Sequence, residues 1–446
     1  MRDLIIIAIV VAGCLAALRR PWIGVMLWTW LSIMNPHRFA WGLAYSAPLA
    51  AMAAASTMLG LLLTREKESP FKASAVTIFF IFMLWITLSW LLGLDVTRDY
   101  EQWKKVMKVD VMILIALMLL RNKQHILALA WVAAGSLAIL GLKGGIFTVL
   151  TGGNYRVWGP PGSFIEDNNE FALSLVMTIP LLRFLQLQLK NVWGKWAMTG
   201  TMLMCAAAAI GSYSRGAFLA IGAMAMFLWW RGKNKFGMAM ILILATIPML
   251  AFMPEAWMAR MSSIGNYEED RSSLGRISAW WTAWNIALRY PTGVGFNAAR
   301  PELFAQFSPY PDFVHAAHSI YFQVMGNHGF IGLALFLAIW IATWRSAAWL
   351  RSQKNVVPEA RWCADLAAMC QVSLVGYAVG GTFLSLSYFD LPYNIMVLVV
   401  LTRIWVEKRG WEREPVYAPG WLTVPGLASP PKATAPVPNA GVHKPG

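Results

Sequence analysis

Four side chains between residues 215 and 318 have the types and spacing needed to act on an anionic substrate. Arg215 stands in a short polar turn between two apolar runs, and Arg276 lies in a longer polar segment, residues 254–317. His315 lies at the end of that segment, and His318 begins the next apolar segment. Guanidinium groups bind phosphate oxygens in a bidentate manner, and imidazole is a general base near neutral pH. Together they predict chemistry on a phosphate-bearing substrate at a membrane surface.

Each arginine also has a structural alternative. Arg215 lies at a membrane boundary, where an ionisable side chain costs a few kcal/mol unless it is paired or hydrated, but arginine also snorkels to headgroups. Ser272 or Ser273 can cap a helix that runs to about Tyr290, which would place Arg276 in the first turn. A helix start with an arginine suits a phosphate, whereas a plain surface helix would hold it against lipid headgroups. We expect both arginines to bind substrate.

A glycine- and proline-rich stretch, residues 152–171, predicts a shaped loop before the next apolar run. It carries Arg156, Asn168 and Asn169, which we expect to orient a sugar or a phosphate. Asp167 is suited to cap the following helix, so a purely structural role for this stretch stays open.

Asp390 precedes the last apolar run on the same predicted side, where it could orient His318 or bind a sugar. No third histidine or spaced carboxylate accompanies His315 and His318, so we predict no metal site. The sequence has no P-loop, dinucleotide fingerprint, GxSxG or HExxH motif, and we predict no cofactor. Glu166 and Asp167 are adjacent, so their side chains point apart and do not form a glycosidase pair.

The elements that must position these residues are membrane helices. Of the 446 residues, 58% are hydrophobic and only 13% are charged, and the mean hydropathy is +0.53. We predict an all-α, polytopic membrane protein with about twelve transmembrane helices. The predicted parts are transmembrane helices with short loops (1–253), an outer loop with short amphipathic helices (254–317), C-terminal transmembrane helices (318–408) and a disordered tail (409–446).

Basic loops predict the orientation of the chain. Clusters of Lys and Arg alternate with other connections, which by the positive-inside rule makes the basic ones cytoplasmic. The connections 151–168, 213–216 and 254–317 then lie outside, and the C-terminus lies inside. The connection 94–105 departs from the rule, and its basic residues could face an anionic substrate. The net charge of +15 follows from these loops, and no motif indicates nucleic-acid binding.

Several short motifs occur here in a characteristic order. They are Ser214-Arg-Gly216, Ser273-Leu-Gly-Arg276 followed by Pro291-Thr-Gly-Val-Gly295, and His315-Ala-Ala-His-Ser319 leading to Gly326-Asn-His-Gly329. Over roughly residues 150–340 the chain resembles the O-antigen ligase family, within the O-antigen ligase/polymerase superfamily. The stretch that begins at Trp158 is most similar to the exosortase-associated, ligase-like subgroup.

The resemblance implies a GT-C-like, metal-independent glycosyltransferase of the bacterial inner membrane with a periplasmic active site. Such ligases move a glycan from undecaprenyl pyrophosphate to a sugar hydroxyl of lipid A-core, in lipopolysaccharide biosynthesis. The resemblance further implies that Arg215 and Arg276 hold the donor pyrophosphate and that His318 is the catalytic base of an inverting displacement. The family often has Asn after this histidine, where this chain has Ser319.

Three alternatives stay open. An O-antigen or exopolysaccharide polymerase and a protein O-oligosaccharyltransferase would use the same donor site with other acceptors. A polysaccharide flippase or transporter belongs to a different class and would place charged residues deep in several helices. Here the ionisable residues gather on one face, with Lys143 as the main exception.

Overall fold

The computed structural model of this protein describes residues 2–232, 234–237, 239–240, 244, 252–262, 271–355 and 358–414. Within these ranges the regular elements are helices and no strand occurs, which confirms the all-α prediction. The α-helices are α1 Arg2–Arg19, α2 Pro21–Met34, α3 Leu43–Ser46, α4 Leu49–Leu63, α5 Ser74–Leu91, α6 Val96–Leu119, α7 Lys123–Leu150, α8 Asn168–Gln188, α9 Val192–Gly211, α10 Arg215–Arg231, α11 Glu255–Ser262, α12 Arg271–Arg289, α13 Pro301–Phe307, α14 Ile320–Ser352, α15 Arg361–Gly380, α16 Asp390–Glu407 and α17 Gly410–Arg413.

Five candidate membrane spans occur in the described part of the chain, as expected for a multi-pass membrane protein. They contain α5, α7, α8, α14 and α15, and the shorter apolar helices α2 and α4 accompany them. The total of about twelve spans stays a prediction. The predicted apolar segment 237–253 falls largely outside the described residues, as does the predicted disordered tail beyond Glu414.

Polar residues fix where several of these helices begin. In each case a side-chain oxygen directly before an apolar run accepts a hydrogen bond from a backbone N–H of the first turn, which satisfies one of the unpaired helix donors. The capping residues are Asp95, Asn122, Asp167, Asn191 and Ser214.

Helix α8 lies inside the bundle. It packs against α7, α9, α10 and α15, and buried residues occupy most of its length. The residues at its first turn are therefore held rigidly among several helices, which matters because Asp167, Asn168, Asn169 and Glu170 lie there.

Helix α14 is kinked at Gly329, whose φ of 70° is left-handed and favours glycine. The kink frees the carbonyl oxygen of Asn327, which accepts hydrogen bonds from the backbone N–H groups of Val294 and Gly295 and from the hydroxyl of Ser89. The connection that follows α12 is thereby locked against α14 and α5.

A buried ion pair anchors the same connection to α6. Nη2 of Arg300 lies 2.7 Å from Oδ2 of Asp99, and both side chains are almost fully buried. The same carboxylate oxygen accepts a hydrogen bond of 2.8 Å from the backbone N–H of Phe296. These contacts and the kink fix the end of α12 and the start of α13 relative to the membrane helices.

Candidate functional site

Arg215 and Arg276 line the same pocket, which has a volume of about 270 Å³. Arg215 is the first residue of α10 and follows the capping residue Ser214. Arg276 lies in the second turn of α12, one turn later than the sequence predicted, because the helix already begins at Arg271. Trp280 and Phe383 are among the other residues of the wall. Two helices that are distant in sequence thus bring guanidinium groups to one pocket.

A wider apolar groove of about 490 Å³ adjoins this pocket and shares Ile277 and Trp280 with it. The indole ring of Trp280 stacks on Phe322 with 4.9 Å between centroids, and its N–H donates to the carbonyl oxygen of Ala317 at 2.7 Å. Trp281 completes one wall and is 57% exposed. An anion-binding pocket beside an aromatic groove fits a phosphate group that carries an apolar chain.

His318 lies directly before α14 rather than on it, since the helix begins at Ile320. Its φ of 40° is left-handed, which is uncommon for a residue other than glycine. This turn, and not a helical backbone, sets the direction of the ring. The side chain stays 32% exposed, and its Nδ1 lies 3.7 Å from Oε1 of Glu170.

Glu170 is a site residue that the sequence analysis missed. It is 5% exposed and lies in the first turn of α8. Its Oε1 accepts a hydrogen bond of 3.3 Å from the backbone N–H of Ser385, and its Oε2 is buried with no hydrogen-bond partner among the described residues. In sequence, Asp167 and Glu170 have the spacing of a helix-capping pair, which concealed this role. An acidic residue at the start of a membrane segment is the signal that points to it.

Asp167, Asn168 and Asn169 hold the start of α8. Asp167 accepts hydrogen bonds from the backbone and side-chain amides of Asn169, both at 2.8 Å. Partial burial would raise the pKa of Asp167, but the interactions at the start of α8, among them the two hydrogen bonds from Asn169 and the nearby ring of His318, keep that pKa below its ordinary value. The amide of Asn168 donates to the carbonyl oxygen of Ser212 at 2.6 Å and is buried. Asn168 therefore ties α8 to the turn that presents Arg215.

His315 connects Arg276 to His318. Its ring lies 5.2 Å from that of His318, and its Nδ1 is 2.8 Å from the carbonyl oxygen of Ala316. Burial, with smaller contributions from His318 and Arg276, lowers the pKa of His315. The close approach to α12 requires Gly275, because a Cβ atom there would lie 2.9 Å from Cδ2 of His315. The predicted residues Arg215, Arg276, His315 and His318 thus form one continuous area.

Arg156 belongs to a second pocket, of about 260 Å³, which it lines together with Lys143 and several aromatic rings. Its guanidinium carbon lies 5.8 Å from the centre of the Tyr213 ring. The ammonium nitrogen of Lys143 lies 4.9 Å from the centre of the Phe39 ring. This area carries two cations and lies next to the turn before Arg215.

Asp390 lies at the start of α16, where it is buried and accepts a hydrogen bond of 2.7 Å from the hydroxyl of Ser32. The ion pairs of the described residues place Glu170, and not Asp390, beside His318. The expectation that Asp390 orients His318 is therefore wrong, because Asp390 is directed towards α2. Within the described ranges, no group of three or more His, Cys, Asp and Glu residues is arranged to hold a metal ion.

The fold and this site define a multi-pass helical membrane protein with a pocket lined by two arginines and a partly exposed histidine nearby. Residues 200–337 match the family model described as O-Antigen ligase, and this range contains Arg215, Arg276 and His318. Residues 1–190, which include Glu170, match a model described as a family of unknown function, DUF5935. No curated protein matches the chain. The match of residues 200–337 supports the O-antigen ligase family, whose members are glycosyltransferase-like ligases. It also supports a ligase- or polymerase-type function in O-antigen biosynthesis.

Proposed function

We propose that this protein is an O-antigen ligase that transfers a glycan from undecaprenyl pyrophosphate to a sugar hydroxyl of lipid A-core at the periplasmic face of the bacterial inner membrane. The observation that carries this proposal is the pocket shared by Arg215 and Arg276. His315 lies near Arg276, and its ring is 5.2 Å from that of His318. The stretch from Trp158 to Phe171 favours the exosortase-associated subgroup.

The donor fits the pocket and the groove together. The pyrophosphate would occupy the pocket, where two guanidinium groups stabilise the negative charge that develops as the lipid pyrophosphate leaves. The first isoprene units would follow the groove along Trp280 and Trp281, whose rings offer apolar surface at the membrane boundary. Both parts of the lipid are then held by α12, which fixes the anomeric carbon relative to His318.

The chemical step is a single displacement at that carbon. The imidazole of His318 takes the proton of the acceptor hydroxyl while the new C–O bond forms. The bond from the anomeric carbon to the pyrophosphate oxygen breaks, and its electron pair stays on the leaving lipid pyrophosphate. Attack from the opposite side inverts the anomeric configuration. His318 suits this role because its ring is partly exposed, so an acceptor can reach it.

An O-antigen polymerase is the second candidate. Its acceptor is another lipid-linked glycan, which carries a pyrophosphate of its own. The second pocket, with the cations Lys143 and Arg156, favours an acceptor that is an anionic lipid over a protein. Lipid A-core and a second lipid-linked glycan both meet this requirement, so the product decides between ligase and polymerase.

A transfer assay with three acceptors tests the proposal. The full chain in lipid nanodiscs receives labelled undecaprenyl pyrophosphate glycan with lipid A-core, with no added acceptor, or with an unstructured Ser/Thr-rich polypeptide. Label on lipid A-core, lost in His318→Ala and retained in Arg289→Ala, supports the ligase. Arg289 is the matched control because it is exposed at the far end of the helix that carries Arg276.

Other results of this assay would indicate a different function. Lengthening of the lipid-linked glycan without added acceptor establishes the polymerase, and label on the polypeptide establishes protein glycosylation. Donor binding without transfer to any acceptor, followed by movement of the donor between leaflets in proteoliposomes, would overturn the enzyme in favour of a transporter.

A further inference from the structure

We propose that Glu170 is the positioning residue for His318: its carboxylate receives the Nδ1–H of the ring and so leaves Nε2 free to accept the proton of the acceptor hydroxyl. This inference rests on the proposed function. The two side chains come from the start of α8 and the residues before α14, and Nδ1 and Oε1 are 3.7 Å apart. Catalytic hydrogen bonds are often long before substrate binds and shorten in the reactive complex.

The surroundings of Glu170 fix its carboxylate in place. The backbone N–H of Ser385 holds Oε1 at 3.3 Å, and the side chain is almost fully buried among α8 and the connection between α15 and α16. The other oxygen, Oε2, has no hydrogen-bond partner among the described residues. A buried carboxylate oxygen without a partner is unfavourable, so its retention calls for a compensating interaction. A charge on the neighbouring ring provides such an interaction.

Helix capping does not explain the direction in which the carboxylate of Glu170 points. In a capping box the acidic residue of the first turn accepts a hydrogen bond from the backbone N–H of the capping residue. Here Asp167 caps α8 through the amide of Asn169, whereas the backbone donor to Glu170 is Ser385, which is distant in sequence. The carboxylate of Glu170 is therefore directed away from its own helix and towards the loop that carries His318.

The backbone of His318 supports the same assignment. Its left-handed φ of 40° is costly for a residue with a side chain, and such conformations persist where the surrounding structure requires them. The turn brings the ring to Glu170 before α14 begins. Had the chain entered the helix at His318, the ring direction would have been set by the helix.

Three charged or titratable groups lie near the ring of His318, and Arg276 lies beyond one of them. Glu170 comes from the first turn of α8, and Asp167 caps that helix and accepts hydrogen bonds from Asn169. His315 lies in the same loop as His318, and Arg276 of α12 is the cation near His315. Glu170 is the group within ion-pair distance. In the proposed step its carboxylate faces the imidazolium ring, and no proton passes to it.

Substitution of Glu170 separates positioning from folding. In Glu170→Gln we expect the single-turnover transfer rate to fall at least about tenfold, as for other residues that orient a functional histidine, while donor affinity and Tm stay within error. Glu170→Asp should restore part of the rate.

The matched control is Glu302→Gln, which removes an exposed carboxylate on α13 and should leave the rate unchanged. A rate in Glu170→Gln within twofold of wild type would overturn the positioning role. So would a loss of rate that merely follows a loss of Tm.

Nitrogen NMR of labelled histidine tests the pairing without any activity. The chain has only six histidines, and the signal of His318 is the one missing from His318→Ala. We expect the Nδ1–H tautomer in wild type and a mixture of tautomers in Glu170→Gln. If wild type transfers no glycan but this signal changes as expected, the pairing stands and the proposed function fails. An unchanged signal in Glu170→Gln overturns the pairing even if transfer occurs.

Discussion

His318 and His328 lie ten residues apart and differ in almost every physical respect. The ring of His328 is fully buried, with Nδ1 3.0 Å from the hydroxyl of Ser89 and Nε2 2.6 Å from that of Tyr388. The ring of His318 is partly exposed, and its nearest ion-pair partner, Glu170, lies at 3.7 Å. One histidine has both nitrogens bonded inside the protein, whereas the other keeps capacity for a ligand.

The arginines differ in where they lie. Arg300 forms a buried 2.7 Å ion pair with Asp99, whereas Arg215 and Arg276 line a pocket. Satisfied buried groups fix the structure, and breaking such a set is costly. Side chains that line a pocket are those that a substrate can reach. We infer that the network of His328 and Arg300 holds the framework and that the area of His318 does the chemistry.

The largest expected effect comes from replacing each of the two histidines with alanine. His318→Ala should lower turnover by roughly 10²–10⁴-fold with an unchanged Tm, because a general base is lost from an accessible site. His328→Ala should instead lower Tm, because Ser89 and Tyr388 lose their buried partner. Single-turnover rates and thermal melts of both variants decide this. A strong loss of Tm in His318→Ala would remove the distinction.

Substitution of the two arginines of the pocket should have the next largest effect on activity. Arg215→Ala and Arg276→Ala should each lower kcat/KM by roughly 10²–10³-fold, because each removes a donor that stabilises charge on the leaving group. Arg289→Ala, on the same helix as Arg276, should stay within twofold of wild type. Steady-state kinetics with a range of donor concentrations measures all three. Wild-type kinetics in either pocket variant would remove that arginine from the site.

Asp99→Asn tests the framework side of the comparison. It leaves Arg300 buried without its counter-charge, and such a loss costs about 3–5 kcal/mol of folding free energy. We expect a lower Tm and a lower yield of folded protein, but unchanged turnover per folded molecule. Equilibrium unfolding in mixed micelles, with activity normalised to the folded fraction, checks both. Loss of turnover in fully folded Asp99→Asn would place the ion pair in the chemistry.

Gly275→Ala should have the smallest effect. The added methyl group would meet Cδ2 of His315 at 2.9 Å and Cε1 of Phe313 at 2.7 Å, so the loop before His318 must shift slightly. A misplacement of about 1 Å costs up to about 10²-fold in rate, so a shift of a few tenths should cost roughly tenfold or less. Kinetics should show a lower kcat with unchanged donor affinity. Gly200→Ala, where a Cβ atom would meet nothing within 4 Å, is the control.

Most of the helices could be predicted from the sequence, because apolar runs flanked by capping residues determine them locally. The motif order predicts Arg215, Arg276 and His318 as site residues, and in the structure these residues lie in one area. Glu170 could not be found in this way. Its partner Ser385 is remote in sequence, and its spacing from Asp167 fits a capping pair.

The start of α14 and the surroundings of Asp390 were also beyond sequence reasoning. Periodicity gives no sign that the chain makes a left-handed turn at His318 before the helix begins at Ile320. The contact of Asp390 with Ser32 depends on how α16 packs against α2, which a single sequence does not specify. Tertiary packing decides both features.

The most direct test measures how tightly the protein binds undecaprenyl pyrophosphate, the product lipid that carries the pyrophosphate alone. Wild type, the double variant Arg215→Ala/Arg276→Ala, His318→Ala and Arg289→Ala would be compared by calorimetry in nanodiscs. We expect the double variant to bind at least about 100-fold more weakly, and the other two variants to bind like wild type, because two charge-assisted phosphate contacts are lost only in the first. Binding by the double variant with wild-type affinity would contradict the assignment of this pocket to the donor.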